Sequence, residues 1–319
     1  MIAIEEHFRS RAVLAARAAG RVADERSPVV DHIADRLADL GAGRLADMDA
    51  AGVDVQVISH NVPGPEACAA ADAVAIAREA NDELAEAIAE HPDRFAGFAA
   101  LPTHDPDAAA DELRRAVTGL RFRGALVNGT TNGRFLDDRS FWPVFAEAER
   151  LHVPIYLHPA PPPAAVWDAY YDGLAPEVAQ VLGTSAWGWH VETGLHALRL
   201  VLAGVFDRHP ELQVVIGHLG EAVPFMLARA DAVLARLTRL ERPVREYFAR
   251  NFHYTTSGMF TRAPFDCLLD VVGPGRVLFA VDYPFSDGVR GREFLDALPL
   301  DAEDRERIAH GNAEALLRL

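Results

Sequence analysis

Eight short apolar runs of β type punctuate this chain, at residues 2–5, 53–59, 95–101, 124–128, 153–157, 212–216, 252–256 and 277–281, with helical patterns between them. Alternation of this kind makes neighbouring strands parallel, because each crossover helix carries the chain back to the starting edge. Eight such units favour closure into a (β/α)8 barrel. An open doubly wound sheet would carry a glycine-rich turn after its first strand, and that position here is Glu6-His7-Phe8. Helices are predicted over 72–90, 107–118, 141–151, 191–208, 224–239 and 302–319. Two stretches break the alternation: 9–43, mixed and partly helical, and 159–188, rich in proline and aromatic residues. Long insertions after barrel strands on the catalytic face form pocket walls or subunit contacts. No linker divides the 319 residues, so one domain, 1–319, is expected.

Half of the residues are apolar, yet no apolar run reaches the roughly 18–20 residues of a membrane span. The N-terminus enters an apolar, acid-bearing segment directly, so no signal peptide is expected. Cys68 and Cys267 lie far apart and in no metal-type spacing, which points to a reduced, cytoplasmic protein. The formal net charge of −16 argues against nucleic acid and anionic membranes as partners. It leaves a small anionic substrate open, because the local field of a pocket decides that. The chain has no lysine, which the alanine-rich composition attributes to a GC-rich genome. The absence still excludes a Schiff-base lysine, a phosphate-loop lysine and a carbamylated lysine bridging two metals.

Acid and imidazole groups sit where several of the runs end. Glu5 and His7 are two apart on the first strand, so their side chains leave the same face and Glu6 points away into packing. His158 ends the fifth run, His218 follows the sixth, and Asp282 follows the eighth. Glu221, three residues after His218, is placed to hydrogen-bond that ring and set its tautomer. Taken singly, each has a plainer reading: a charged terminus for the triplet, a hydrogen-bonded core histidine for His158. Coincidence at several strand ends of one barrel face is improbable. A set of Glu, His, His and Asp donors suits one divalent cation. Arg44 and Arg229 offer planar forks for a carboxylate, against the plainer reading of salt bridges to Asp47 and Asp231. His91, His209 and His310 lie near helix ends, and His32, His152 and His190 lack a partner pattern. His60 follows the second strand and stays open.

The segments Glu5-Glu6-His7-Phe8, 44–49, Asn81-Asp82, 92–95, 124–129, Tyr156-Leu157-His158-Pro159, 196–200, 217–231, 255–258 and Asp282-Tyr283-Pro284-Phe285 run in one order along nearly the whole chain. As a set they resemble the amidohydrolase-superfamily decarboxylases, the group containing aminocarboxymuconate-semialdehyde decarboxylase. Within it, the γ-resorcylate, 2,3-dihydroxybenzoate and 5-carboxyvanillate decarboxylases are most similar. The resemblance implies an amidohydrolase-type (β/α)8 barrel with insertions on its catalytic face. It implies metal ligation by Glu5, His7, His158 and Asp282, with His218 and Glu221 as a catalytic pair beside the metal. Glu5 replaces the first histidine of a His-x-His pair. That oxygen-richer set shifts the expected single divalent ion toward Mn²⁺, with Zn²⁺ or Mg²⁺ as alternatives.

The activity it implies is reversible, non-oxidative decarboxylation of an ortho-hydroxybenzoate, releasing CO2 and a phenol. Asp282 is the first choice of proton donor and His218 the second. Arg44 and Arg229 would orient the carboxylate, and Asn128 and Ser257 would make polar contacts to this small aromatic acid. A homodimer or homotetramer is expected on the same ground. The alternative is metal-dependent hydrolysis of a lactone, ester or amide, with Asp282 as base. The Glu5-Glu6-His7 opening and the missing lysine weigh against binuclear hydrolases.

Overall fold

Strand-helix alternation is the architecture of the computed structural model, which describes residues 1–22 and 31–319. Strands β1 (Ile2–Phe8), β2 (Val55–His60) and β3 (Phe95–Gly97) form one sheet. Strands β4 (Ala99–Ala100), β5 (Ala125–Asn128), β6 (Ile155–His158), β7 (Val214–Ile216), β8 (Phe252–Thr255) and β9 (Val277–Leu278) form the other. Every neighbouring pair is parallel. Backbone bonds cross both seams. Phe98 N–H donates to Ile58 O at 2.9 Å, while Ile4 N–H reaches Phe279 O at 3.3 Å and His7 N–H reaches Tyr283 O at 2.7 Å. This is the (β/α)8 arrangement expected.

The run predicted at 95–101 serves two ladders: β3 pairs with β2, β4 pairs with β5, and Phe98 lies between them. A strand coiling around a small barrel does not keep both its ladders in one continuous register. The helix predicted over 191–208 is also divided, into Gly188–Leu202 and Val205–Arg208, at Gly204 with φ +78°. Residues 302–319 form Ala302–Glu306, a π turn at Arg307–Gly311, and Asn312–Leu317. The helix expected over 224–239 is Val223–Leu234. Of the insertion 9–43, residues 23–30 lie outside the described part.

Two apolar layers follow from the period of two along each strand. On β6, Ile155 and Leu157 pack outward against the helices, while Tyr156 joins Ile4, Val57, Leu126 and Val215 in the interior. On β1 the period is interrupted. Ala3 pairs with Gln56 but Glu6 pairs with Ile58, so β1 carries one residue more than β2 over this stretch. This bulge puts Ile4 and Glu5 on the same side. Without it, alternation from Ile2 and Ile4 would send Glu6 and Phe8 inward and Glu5 and His7 out. Among the described residues no helix is long and apolar enough to cross a membrane.

Candidate active site

Strands β1 and β6 and the segments after β7 and β9 place acid and imidazole groups at one mouth. Glu5 is fully buried. Its Oε2 accepts from the hydroxyls of Tyr156, Ser257 and, at 2.9 Å, Thr255. Gly217 makes the room: a Cβ there would stand 2.9 Å from Oε2 and 3.0 Å from Oε1. Oε1 has no hydrogen-bond partner and faces His158 Nε2 at 3.5 Å. His7 is equally buried. Its Nδ1 meets Ser59 Oγ at 3.3 Å, which orients the ring, and its Nε2 has no hydrogen-bond partner. That Nε2 lies 3.3 Å from Asp282 Oδ1. One ligand atom each from Glu5, His7 and His158 falls within 4.8 Å of the others.

Buried polar atoms without partners cost free energy unless something pairs them. A divalent cation held by Glu5, His7 and His158 would supply that partner. The donor set of carboxylates and imidazoles fits such an ion, with all oxygen donors of Glu5 other than Oε1 already committed.

The protonation of these groups follows their surroundings. Burial raises the Glu5 carboxyl above the usual range, with His218 and His7 pulling against it. Burial drives His158 well below the usual histidine range, and His7 and His218 push it further. A neutral imidazole is the form that ligates a cation. Burial works against the Asp282 carboxylate, yet the neighbouring His218 and His7 imidazoles hold it below its ordinary value.

His218 Nδ1 meets Glu221 Oε1 at 2.8 Å, in the arrangement their spacing implies. Its Nε2 lies 3.9 Å from both Glu5 Oε1 and Asp282 Oδ2. Burial alone would strip the His218 proton; Glu221 and Glu5 outweigh it and hold the imidazolium well above the usual range. Glu221 answers in kind: burial opposes its charge, but His218 and His190 bring it down to about 2. Residues 218–222 all adopt left-handed backbone, with φ of 49°, 56°, 91°, 54° and 62°. Four of the five are not glycine, and each such residue stores roughly 1–2 kcal/mol. The tight coil turns His218 and Glu221 toward each other over three residues.

His190 was given no role by its sequence context, and the structure corrects that. It lies in the first turn of helix Gly188–Leu202, and its Nδ1 meets the second Glu221 oxygen, Oε2, at 2.7 Å. Its ring stands edge-on to His218 with centroids 4.5 Å apart. Both contacts to Glu221 are hydrogen-bond distances, so each imidazole turns an N–H toward the carboxylate. With both Nδ1 atoms carrying protons, neither imidazole offers a lone pair toward a cation on this side, which separates this trio from the Glu5 cluster.

Other expected site residues fall elsewhere. Arg44 is fully buried beneath β1, not in the pocket. Its guanidinium donates to His7 O at 2.6 Å, Asp39 O at 2.8 Å and Gln56 Oε1 at 3.1 Å, and lies 4.6 Å over the Tyr283 ring. Burial pulls it down to about 10. Every face of its fork is engaged by the protein, so none is left for a substrate. Arg229 is exposed on helix Val223–Leu234, and Asp231 pairs with Arg245 instead of with it. Ser257 serves Glu5 and accepts the His218 N–H at 3.2 Å, so its hydroxyl is not free to bind substrate. Asn128 ends β5 opposite His158, donates to Glu66 at 2.9 Å, and leaves Oδ1 buried and unpaired. His60 is held by Ser10 and by Asn61 O at 2.7 Å, and burial takes it down to about 4. It is a satisfied core histidine.

A cavity of ≈ 670 Å³ opens beside His218 and Glu221, walled by Trp187, Val191, Phe225, Met259 and Cys267. Its apolar wall with polar groups at one end suits an aromatic acid.

Comparison with known proteins gives a consistent outcome. Residues 21–319 match the amidohydrolase family model. The chain is 41% identical over 337 aligned residues to the γ-resorcylate decarboxylase of Rhodococcus jostii, covering 100% of this chain and 98% of that protein. The solved 5-carboxyvanillate decarboxylase of Sphingomonas paucimobilis is 34% identical, with a TM-score of 0.93 over 100% of this chain and 99% of that one. A dihydroxybenzoic acid decarboxylase of Polaromonas, solved with bound manganese and the inhibitor 2-nitroresorcinol, is 35% identical, with a TM-score of 0.86 over 100% and 96% of the two chains. Fold, ligand cluster and full-length likeness agree, and the chain belongs to the amidohydrolase family.

Proposed function

We propose that this protein catalyses metal-dependent, non-oxidative decarboxylation of an ortho-hydroxybenzoate. The observation that carries the reading is the divided Glu5 carboxylate: one oxygen saturated by three hydroxyls, the other bare beside His158 and His7. The full-length likeness to γ-resorcylate decarboxylase supports the substrate class. A divalent cation held by Glu5, His7, His158 and Asp282 supplies the positive charge that draws electron density from the substrate's carboxylate and neighbouring phenolic oxygen. Manganese in the Polaromonas relative supports one such ion here.

The residues then divide the work. Asp282 delivers a proton to the ring carbon bearing the carboxylate. Its neighbours favour the ionised form, so the charge of the arriving substrate is what makes it a donor. His218, 3.9 Å away, is the second proton-bearing group at that spot, and Glu221 fixes its ring orientation. The C–C bonding pair returns to the ring as CO2 leaves and aromaticity is restored. Asn128 pairs with His158 in the strand register and leaves Oδ1 buried and unpaired, so it is assigned to a ring hydroxyl.

The exposed Trp187, Phe225 and Met226 around the cavity support a homodimer or homotetramer in which a second copy covers them. Two unpaired cysteines, Cys68 and Cys267, suit a reducing cytoplasm.

A CO2 assay over a panel of hydroxybenzoates tests the reading. At least one 2-hydroxy- or dihydroxybenzoate releases CO2, benzoates hydroxylated only at the para position are inert, and in D2O the phenol gains one deuterium at the former carboxylate carbon. An inert panel alongside hydrolysis of an ester, lactone or amide would replace it with the hydrolase reading.

A further inference from the structure

The Glu221 carboxylate is gripped from two sides. His218 Nδ1 holds Oε1 at 2.8 Å and His190 Nδ1 holds Oε2 at 2.7 Å. The far side of His190 is also engaged: Trp189 Nε1–H donates to His190 Nε2 at 3.1 Å, and Ser185 O lies 3.0 Å from the same nitrogen. With Nδ1–H turned to Glu221, Nε2 accepts the Trp189 N–H, and the Ser185 carbonyl is its partner only where Nε2 carries a proton; in either case both nitrogens fix the ring's orientation.

Backbone packing explains why His190 arrives there. Gly194 is four residues further along the same helix, and a Cβ at that position would stand 2.5 Å from Glu221 O and 3.2 Å from Val223 Cγ2. The absent side chain lets the helix rest directly on the strained loop that carries Glu221. Residues four apart share a helix face, so the contact at Gly194 aims His190 at the same loop. Gly188 permits an equally close approach at the helix start, where a Cβ would meet Gly183 O at 2.3 Å. Gly194 and His190 thus hold the helix and loop in one register, and Gly188 seats the helix start against Gly183.

We infer that His190 is a positioning residue of the decarboxylation: it locks the Glu221 carboxylate in the orientation that receives His218 Nδ1–H, and so aims His218 Nε2 at the reacting carbon. This rests on the proposed function only for the identity of the reaction. The geometric claim concerns Glu221 and His218 alone. Without His190, Glu221 Oε2 loses this hydrogen bond, and the carboxylate is free to rotate about its last torsion. His218 then samples both ring orientations.

The test uses His190→Ala, His190→Gln and Gly194→Ala in the full-length, metal-loaded enzyme. Removing an outer partner of this kind costs about 10–100-fold in turnover, so kcat should fall by that much in His190→Ala. KM should stay near wild type, and bound metal per chain should not change. Gly194→Ala keeps His190 but pushes it off the loop and should fall in the same way. His190→Gln, whose amide can still donate to Oε2, should recover part of the loss. A second readout is independent of turnover: selective ¹⁵N-histidine NMR of the Zn²⁺-loaded protein. Wild type should show His218 with a protonated, slowly exchanging Nδ1, and His190→Ala should show that signal shifted or lost. An unchanged His218 resonance together with unchanged kcat in His190→Ala overturns the inference. A shifted resonance in a protein that decarboxylates nothing in the panel would uphold it and overturn the reaction instead.

Discussion

Glu6 accepts the backbone N–H of Val281 at 2.8 Å, from a residue 275 positions away in the chain. Its other oxygen accepts the Tyr283 N–H at 3.2 Å, so one buried carboxylate brackets Asp282 on both sides. Burial raises Glu6 to about 8. Its neighbour Glu5 faces the opposite way into the ligand cluster. Glu6→Gln keeps the shape but turns a donor toward an N–H. We expect a stability loss of about 1–3 kcal/mol and weaker metal binding, because Asp282 loses its support. Denaturant unfolding and metal titration check this; wild-type values in both would show that Glu6 does not place Asp282.

Arg44 gives a contrasting prediction. Its guanidinium bonds three backbone or amide oxygens under β1 and covers Tyr283. Arg44→Met should cost about 3 kcal/mol or more, since several acceptors are left buried. KM of the surviving folded enzyme should barely move. A raised KM with unchanged stability would return Arg44 to the substrate.

Metal dependence separates ligands from the residues that act beside them. Chelation should abolish turnover and lower Tm, as loss of any ligand bound only to the folded state must, and Mn²⁺ should restore both. His7→Ala and His158→Ala should lose metal and activity together. His218→Asn should retain metal and lose most turnover. Metal analysis with a CO2 assay on each variant decides; full activity in metal-free protein sinks the scheme.

Two buried histidines far from the cluster set an acid limit. Burial holds His196 and His253 at about 3, against 6.5 for an unfolded histidine. Below pH 6.5 the unfolded chain therefore binds protons that the folded chain refuses, and stability falls as pH falls toward 3. By pH 5 each ring removes roughly 2 kcal/mol. His196 Nε2 accepts the Leu136 N–H at 2.8 Å, a bond that a glutamine oxygen can replace. Urea unfolding of His196→Gln across pH 5 to 7.5 should show a flatter slope than wild type. Parallel slopes would mean that the ring is already protonated in the folded protein.

The candidate cluster was legible because barrel chemistry concentrates at strand ends, and Glu5, His7, His158 and Asp282 sit at the ends of apolar runs. The bulge in β1 was not. Period-two counting from Ile2 and Ile4 puts Glu5 and His7 on the wrong face, and the notion that they share a face survives only because the extra residue falls before them. His190 was invisible for another reason. It lies on a helix, and its meaning comes from the approach at Gly194, which depends on tertiary packing. Arg44 misled because a charged fork near the site suits a carboxylate equally well whether it faces substrate or the underside of β1.

The left-handed stretch at 218–222 also bears on how this protein could be improved for use. Ala222 is exposed at the edge of the cavity and holds φ at 62°. Glycine there relieves roughly 1–2 kcal/mol of backbone strain and gives back about 0.4–1 kcal/mol through the looser unfolded chain. Ala222→Gly should therefore harden the protein to heat by a small net amount. The same arithmetic tempts selection at His218 and Glu221, where glycine would relax the coil and delete the chemistry. A screen that rewards thermal survival alone would drift toward a durable, inert barrel, so this loop is the place where durability and turnover must be selected together.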